Sequence, residues 1–236
     1  MKSIVKVMEE VLEMPYFRNY QATSGNVHNI ANHEAAVADV FENHGYEESK
    51  VLKKWCKKKK DWVSDKGVYH RDKWLNGEKT DKYYELENCS YISQPCGTHQ
   101  SPDFILKDES GELFFIECKS AGDGTPMYNS GVPKSKYIYI FTSDKYDATT
   151  VYMGQDCLPK EVAQKIQDHI DEARRRDEEI NKLLESCDVA NNYNITYYTR
   201  PMLQHKGSYK KGKDYFINEL RAINEANVFA FIHKGA

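Results

Sequence analysis

The amino-acid sequence predicts an α/β fold in which helices flank a mixed β-sheet. Segments with helical hydrophobic periodicity lie near both ends of the chain, whereas the middle holds short segments with the alternation or β-branched content of strands. Neither an internal repeat nor a low-complexity linker divides the 236 residues. We therefore expect a single domain over residues 1–236, with a core at about 30–145 and an extension at 159–236.

Two helices are predicted before the strands. Residues 3–14 repeat apolar side chains at helical spacing, and Pro15 ends the pattern. The segment NHEAAVADVFENHGY predicts a second helix, which Asn32 would cap and Gly45 would close. Its expected buried stripe comprises Ala36, Val37, Val40 and Phe41.

The middle of the chain predicts the sheet. Residues 46–80 are charged and contain three tryptophans, and we interpret them as short helices and loops. YYELENCSYIS predicts a strand, and PDFILKD and ELFFIECKS predict a hairpin around the turn at 109–111. KYIYIFTS and TTVYMG predict two further strands, so most of the sheet should form between residues 83 and 154.

The C-terminal part alternates helix and strand patterns. Residues 159–186 predict the longest helix, which either packs on the sheet or serves in dimerisation. NITYYT predicts a strand, DYFINELRAINEA a helix and NVFAFIHK a final strand. The extension at 159–236 is therefore expected to add both helices and strands to the core.

Several classes of protein are excluded by composition and motif content. No apolar run approaches the length of a membrane span, and acids interrupt the N-terminal apolar pattern, so neither a membrane anchor nor a signal peptide is expected. The six cysteines form no CxxC pair and match no standard zinc spacing, which favours reduced thiols in a cytoplasmic protein. No glycine loop has a nucleotide-binding fingerprint, so no nucleotide cofactor is expected.

The predicted hairpin brings ionisable residues together. Glu117 and Lys119 are two residues apart, so they point to the same face of their strand, whereas Cys118 points to the other. Asp103 begins the preceding strand, and in a hairpin that turns near residue 110 it lies at the same end. Two hard carboxylates suit Mg²⁺, and a nearby lysine can orient a water or offset charge on phosphorus. If the strand ends there, the backbone carbonyl of Cys118 would be a further metal ligand.

The residues PDFIL and FIECK resemble the motif of the PD-(D/E)xK nucleases. Pro102-Asp103, thirteen residues, then Glu117-Cys118-Lys119 match its spacing. The resemblance implies a restriction-endonuclease-like core in which Asp103 and Glu117 bind Mg²⁺, for which Mn²⁺ is expected to substitute, and Lys119 assists the attacking water. Many members add a glutamate from an upstream helix, and Glu34 matches it; an ordinary first-turn acid is the alternative.

Roughly half of the chain lies outside this motif, which favours a type II restriction endonuclease with additional DNA-recognition segments. Such an enzyme would hydrolyse double-stranded DNA at a specific short sequence, most simply as a homodimer on a palindromic site. A repair or junction and mismatch nuclease of the same superfamily is one alternative. A catalytically silent DNA-binding module is the second, and an enzyme on a small substrate the third.

Basic segments supply candidates for contacts to DNA phosphates, although the formal net charge is −3. The run KKWCKKKK includes Lys57 and Lys58 and is either a clamp on the DNA backbone or a solvated face. The loop after the hairpin contributes two further lysines, and a second basic stretch spans residues 200–213. The candidates in these two segments are Lys134, Lys136, Lys210 and Lys211.

Overall fold

The computed structural model shows an α/β fold. It describes residues 3–17, 32–49, 53–56, 61–64, 67–68, 86–95, 101–129, 131–203, 214–217 and 219–235. The helices of these ranges are α1 (Ile4–Leu12), α2 (Asn32–Asn43), α3 (Lys160–Glu185), α4 (Asp188–Asn192) and α5 (Arg221–Gly235). The strands are β1 (Glu47–Glu48), β2 (Lys53–Cys56), β3 (Asp61–Ser64), β4 (Gly67–Val68), β5 (Ser90–Ser93), β6 (Phe104–Lys107), β7 (Leu113–Ala121), β8 (Ile138–Ser143) and β9 (Ala148–Met153).

Six strands form an open mixed sheet in the order β1-β5-β6-β7-β8-β9. Strands β5, β6 and β7 are antiparallel neighbours, as are β8 and β9, whereas β1–β5 and β7–β8 are parallel pairs. The α/β class with a mixed sheet flanked by helices is thus confirmed, as is the predicted hairpin of β6 and β7. Gly111 adopts φ +89° in the hairpin turn, a conformation that glycine accepts without strain.

Helices α1, α2 and α5 cover one face of the sheet. The buried residues of α1 are part of the stripe predicted from the sequence, and Phe41 of α2 meets Phe104 of β6 edge to face at 5.2 Å between centroids. Val228 and Ile232, one turn apart on α5, are buried in the same core. This packing places α2 against the hairpin through Phe41, which lies about two and a half turns after the start of the helix.

The other face of the sheet carries an aromatic core. Tyr139 of β8 stacks on Tyr152 of β9 at 5.3 Å, and Phe115 of β7 stacks on Tyr137 at 5.6 Å. The hydroxyl of Tyr128 hydrogen-bonds to that of Tyr152 at 2.9 Å. Buried tyrosines need such partners, so the loop that carries Tyr128 is held on the sheet by polar and apolar contacts together.

Helix α3 contacts a loop and an irregular segment through its buried residues. A Cβ added at Gly131 would lie 3.1 Å from Cδ1 of Ile170, and the Asp177 carboxylate accepts hydrogen bonds from the backbone and hydroxyl of Thr199. The helix therefore packs between the loop at residue 131 and the segment at residue 199. No helix in the described ranges combines the length and the hydrophobicity needed to cross a bilayer.

The prediction of short helices and loops for residues 46–80 is wrong where the structure describes them. Strands β2, β3 and β4 form a separate antiparallel sheet, in which Trp55 and Trp62 are paired in register. The sequence interpretation gave most weight to the lysines, whereas aromatic and β-branched residues between them favour strands.

Two C-terminal strand predictions are also wrong. NVFAFIHK lies inside α5, because Val228 and Ile232 recur at helical spacing and a short apolar run fits helix and strand equally well. The helix expected from residue 214 begins at Arg221. NITYYT forms no strand, since the backbone of Tyr197 is bound by the side chain of Asn181 on α3 instead of by a neighbouring strand.

Candidate active site

The hairpin places Asp103 opposite Glu117. Phe104 pairs with Ile116 in the antiparallel register, so Asp103, one residue before β6, faces Glu117 across the hairpin. The Cys118 backbone N–H donates a hydrogen bond of 2.7 Å to Oδ2 of Asp103. The Cys118 side chain points to the opposite face, where it is buried in the core beneath α2.

Lys119 lies on the same face as Glu117 and is paired with it. Its Nζ is 2.6 Å from Oε1 of Glu117, and 17% and 8% of the two side chains are exposed. Burial alone lowers the pKa of Lys119, but the charge of Glu117, their hydrogen bond and the charge of Asp103 outweigh it, so the pKa lies above its ordinary value. Lys119 is therefore a fixed cation at neutral pH.

Glu34 reaches the same place from the first turn of α2, and Gln94 joins it to Asp103. Nε2 of Gln94 donates to Oε2 of Glu34 at 2.6 Å and to Oδ1 of Asp103 at 3.2 Å. The backbone N–H of Gln94 also donates to the Asp103 carbonyl at 2.7 Å. Gln94 has φ +47°, a left-handed conformation that lets its backbone and side chain both turn towards Asp103.

The structure thus brings Glu34, Asp103, Glu117 and Lys119 together, and negative charge predominates among them. Burial raises the pKa of Asp103 well above its ordinary value, and the charges of Glu117 and Glu34 raise it further, against the opposing effects of Lys119 and the Cys118 backbone. Such a grouping is unfavourable unless a proton or a cation is added.

One oxygen of this group is left without a donor. Glu117 is buried, and among the described residues its Oε2 has no hydrogen-bond partner. A buried acceptor without a donor costs about 1–3 kcal/mol. Oε1 of Glu117 is paired with Lys119, so a positively charged ligand would be most favourable beside Oε2.

The carboxylates of Asp103 and Glu117 are the kind of ligands that Mg²⁺ prefers. Within the described ranges, no three His, Cys, Asp or Glu side chains are arranged to hold a metal ion together. Asp103 and Glu117 nevertheless suffice, because Mg²⁺ is commonly held by one or two carboxylates, with waters and substrate phosphates completing the octahedron.

The expected contribution of the Cys118 carbonyl stays a prediction. It depended on the strand ending near Cys118, whereas β7 continues to Ala121. The His33 ring also hydrogen-bonds to the Cys118 backbone. Burial lowers the pKa of His33 to about 4, the charge of Lys119 acting in the same direction, so this ring is neutral at neutral pH and adds no cation to the site.

A pocket opens beside these groups. It encloses about 240 Å³, including space open to solvent, and its walls include Glu117, Lys119, Tyr139 and Lys134. Tyr139 is the register partner of Glu117 on the parallel strand β8. The loop after the hairpin therefore reaches the site, and it brings Lys134 with it.

The other candidate DNA contacts are placed differently. Lys136 is exposed and is not among the residues that line this pocket. Lys57, Lys58, Lys210 and Lys211 lie outside the described residues. Of the phosphate-contact candidates, the structure thus brings Lys134 to the acidic cluster.

Sequence reasoning missed Gln94, His33 and Tyr139. Gln94 left no signal in the sequence, because it joins the site through the β5–β6 register, in which Ser93 lies opposite Phe104 and Gln94 lies beside Asp103. His33 precedes Glu34 on α2, but its contact with the hairpin depends on how the helix packs. Comparisons with models of protein families, with curated proteins and with solved structures find no match for the chain.

Proposed function

We propose that the protein hydrolyses phosphodiester bonds of double-stranded DNA with Mg²⁺, as a restriction-endonuclease-like enzyme of type II. The observation that carries the proposal is the meeting of Asp103, Glu117 and Lys119 at one end of the hairpin, with Oε2 of Glu117 buried and without a donor. The same arrangement matches the PD-(D/E)xK resemblance at Pro102-Asp103 and Glu117-Cys118-Lys119.

Each residue has a distinct part in this reaction. Asp103 and Glu117 would hold Mg²⁺, which supplies polarisation of the phosphate and activation of water. Lys119 holds positive charge beside them and orients the attacking water or offsets charge on the phosphate. Glu34 adds a third carboxylate, placed through Gln94 near Asp103, and is suited to fix a water between the helix and the hairpin.

Sequence specificity and assembly belong to the same proposal. The long helix α3, α4 and the segment that follows lie outside the motif and supply surface for reading DNA or for pairing two copies. A cytoplasmic homodimer would match a palindromic site by its two-fold symmetry.

The test is digestion of sequenced plasmid and phage DNA with Mg²⁺ or Mn²⁺, followed by mapping of the ends. Asp103→Ala and Lys119→Ala are the site variants, and Glu109→Gln, an exposed acid in the turn of the same hairpin, is the matched control. We expect defined fragments from the wild type and the control, and no fragments from the site variants. Cutting at the wild-type rate by both site variants would show that the assigned site is wrong.

The alternatives predict different products. A repair or junction nuclease would leave plain duplex intact and cut branched or mismatched DNA, whereas a silent module would bind duplex at low salt without cutting any of these substrates. An enzyme on a small substrate would show no affinity for duplex even at low salt.

A further inference from the structure

The pocket beside the acidic cluster has a cation on the wall contributed by the loop after the hairpin. Lys119 and Glu117 come from β7, and Lys134 comes from that loop. Within the described part of the chain, the Lys134 ammonium has neither a hydrogen bond nor an ion pair, although its backbone does. Surface lysines are often unpaired, but this one is half-buried and lines a pocket, so its lack of a partner has a cost.

The backbone of Lys134 is held firmly in place. Its N–H donates to the Tyr139 hydroxyl at 2.9 Å, and its carbonyl accepts from the Tyr137 N–H at 3.0 Å. A Cβ added at Gly154 would lie 2.0 Å from that carbonyl oxygen, so the two backbones are in close contact. The loop at Lys134 therefore needs no ordering when an anion binds, and only the side chain loses freedom.

Two charged side chains of α3 lie near Lys134 and oppose each other. Burial lowers the pKa of Lys134, and Arg174 on α3 lowers it further, whereas Asp171 opposes them. Arg174 lies 3.6 Å from Asp171, with more than half of both side chains exposed, so this acid offsets little of the local charge. An anion that enters the pocket would meet Lys134, which is unpaired among the described residues, and Lys119, whose charge Glu117 partly offsets.

We propose that Lys134 binds a non-reacting phosphate oxygen of the DNA strand that is cut, and so fixes that strand in the pocket that Lys119 also lines. The inference rests on the proposed function and adds to it which phosphate-binding group orients the substrate. Its ligand is a backbone phosphodiester, which carries no sequence information, so Lys134 contributes to affinity and positioning and not to base recognition. Lys136, two residues away and exposed, takes no part in this contact.

The experiment compares Lys134→Gln with Lys134→Arg and with Lys136→Gln as the matched control. Duplex binding is measured against salt concentration with Ca²⁺ in place of Mg²⁺, and cleavage is measured in single turnover with Mg²⁺. We expect Lys134→Gln to weaken binding or cleavage by about 10- to 100-fold, as for loss of a hydrogen bond to a charged group. It should also reduce the salt slope of binding by about one. Lys134→Arg should restore much of the lost binding or cleavage and of the salt slope. Lys136→Gln should match the wild type in each measurement.

A neutral substrate separates a phosphate contact from a structural effect. One methylphosphonate is moved through the cut strand near the cleavage position. When the methylphosphonate replaces the contacted phosphate, we expect binding or cleavage by the wild type to fall about tenfold. Binding or cleavage by Lys134→Gln should fall no further, because this variant already lacks the contact. Equal losses in both proteins at every position, or equal cleavage by Lys134→Gln and Lys136→Gln, would overturn the inference and leave the proposed function standing. A wild type that neither binds nor cuts duplex DNA would overturn both.

Discussion

The two ends of the β6–β7 hairpin each hold an aspartate that accepts hydrogen bonds, but the groups around the two aspartates differ. At the turn, Oδ1 of Asp108 accepts hydrogen bonds from the Glu112 N–H at 2.9 Å and the Ser110 hydroxyl at 2.7 Å. At the open end, Asp103 lies among other carboxylates, and Oε2 of Glu117 has no donor within the described ranges. Burial alone therefore does not distinguish the two ends of the hairpin; an excess of acceptors over donors marks the end where we propose the site.

The largest expected effect comes from Asp103→Asn. An amide keeps the shape and an oxygen for the Cys118 N–H, but it removes a charge that would hold the cation. We expect single-turnover cleavage to fall by at least about a thousandfold, as for loss of several kcal/mol of electrostatic stabilisation. The free energy of unfolding, measured in urea, should change by no more than about 1 kcal/mol, because relief of the repulsion with Glu34 and Glu117 offsets loss of the acceptor for the Gln94 amide. Loss of both stability and activity would instead indicate a structural acid like Asp108.

The next effect is stabilisation by the metal itself. We assume that Asp103 and Glu117 bind Mg²⁺ in the folded protein and not in the unfolded chain. A Mg²⁺ concentration of 100 times the dissociation constant should then raise the free energy of unfolding by about 2.7 kcal/mol. Thermal unfolding with and without Mg²⁺ measures this without any substrate. Asp103→Asn should lose the effect, whereas Asp108→Asn should retain it. An unchanged melting temperature of the wild type across millimolar Mg²⁺ would argue against a preformed site.

Much of this site is predictable from the sequence, because it follows from strand periodicity. The alternation of side chains in β7 places Glu117 and Lys119 on one face and Cys118 on the other, and the turn length places Asp103 beside them. The structure shows the same arrangement. Local rules suffice here, since all four residues belong to one hairpin.

The parts that sequence reasoning missed depend on contacts between distant segments. Gln94 becomes part of the site through the β5–β6 register and a left-handed turn, neither of which leaves a residue pattern. Lys134 lines the pocket and Lys136 does not, and the backbone N–H of Lys134 is bound by the Tyr139 hydroxyl. The sequence does not reveal this contact. The prediction of a final strand is wrong because the apolar run of α5 is too short for periodicity to distinguish a helix from a strand.

The turn end of the hairpin should respond in the opposite way. Asp108→Ala leaves the Glu112 N–H and the Ser110 hydroxyl without their acceptor, so we expect the free energy of unfolding to fall by about 1–3 kcal/mol. Cleavage per folded molecule should equal that of the wild type, as judged at a temperature where both are folded. The exposed neighbour Glu109→Ala is the control and should change neither quantity. A cleavage defect in folded Asp108→Ala would show that the two ends are coupled.

The smallest expected effect tests whether Gln94 positions the carboxylates. Gln94→Asn suits the left-handed backbone but shortens the side chain by one methylene, so the amide no longer spans Glu34 and Asp103. We expect the Mg²⁺ concentration for half-maximal cleavage to rise about tenfold, as for loss of a group that orients a metal ligand, while the rate at saturating Mg²⁺ recovers. A merely structural role would lower the rate at all Mg²⁺ concentrations together with the unfolding free energy. A dependence of cleavage on Mg²⁺ identical to that of the wild type would show that the hairpin and α2 alone position Asp103 and Glu34. The carboxylates at the open end would then need Gln94 no more than Asp108 at the turn does.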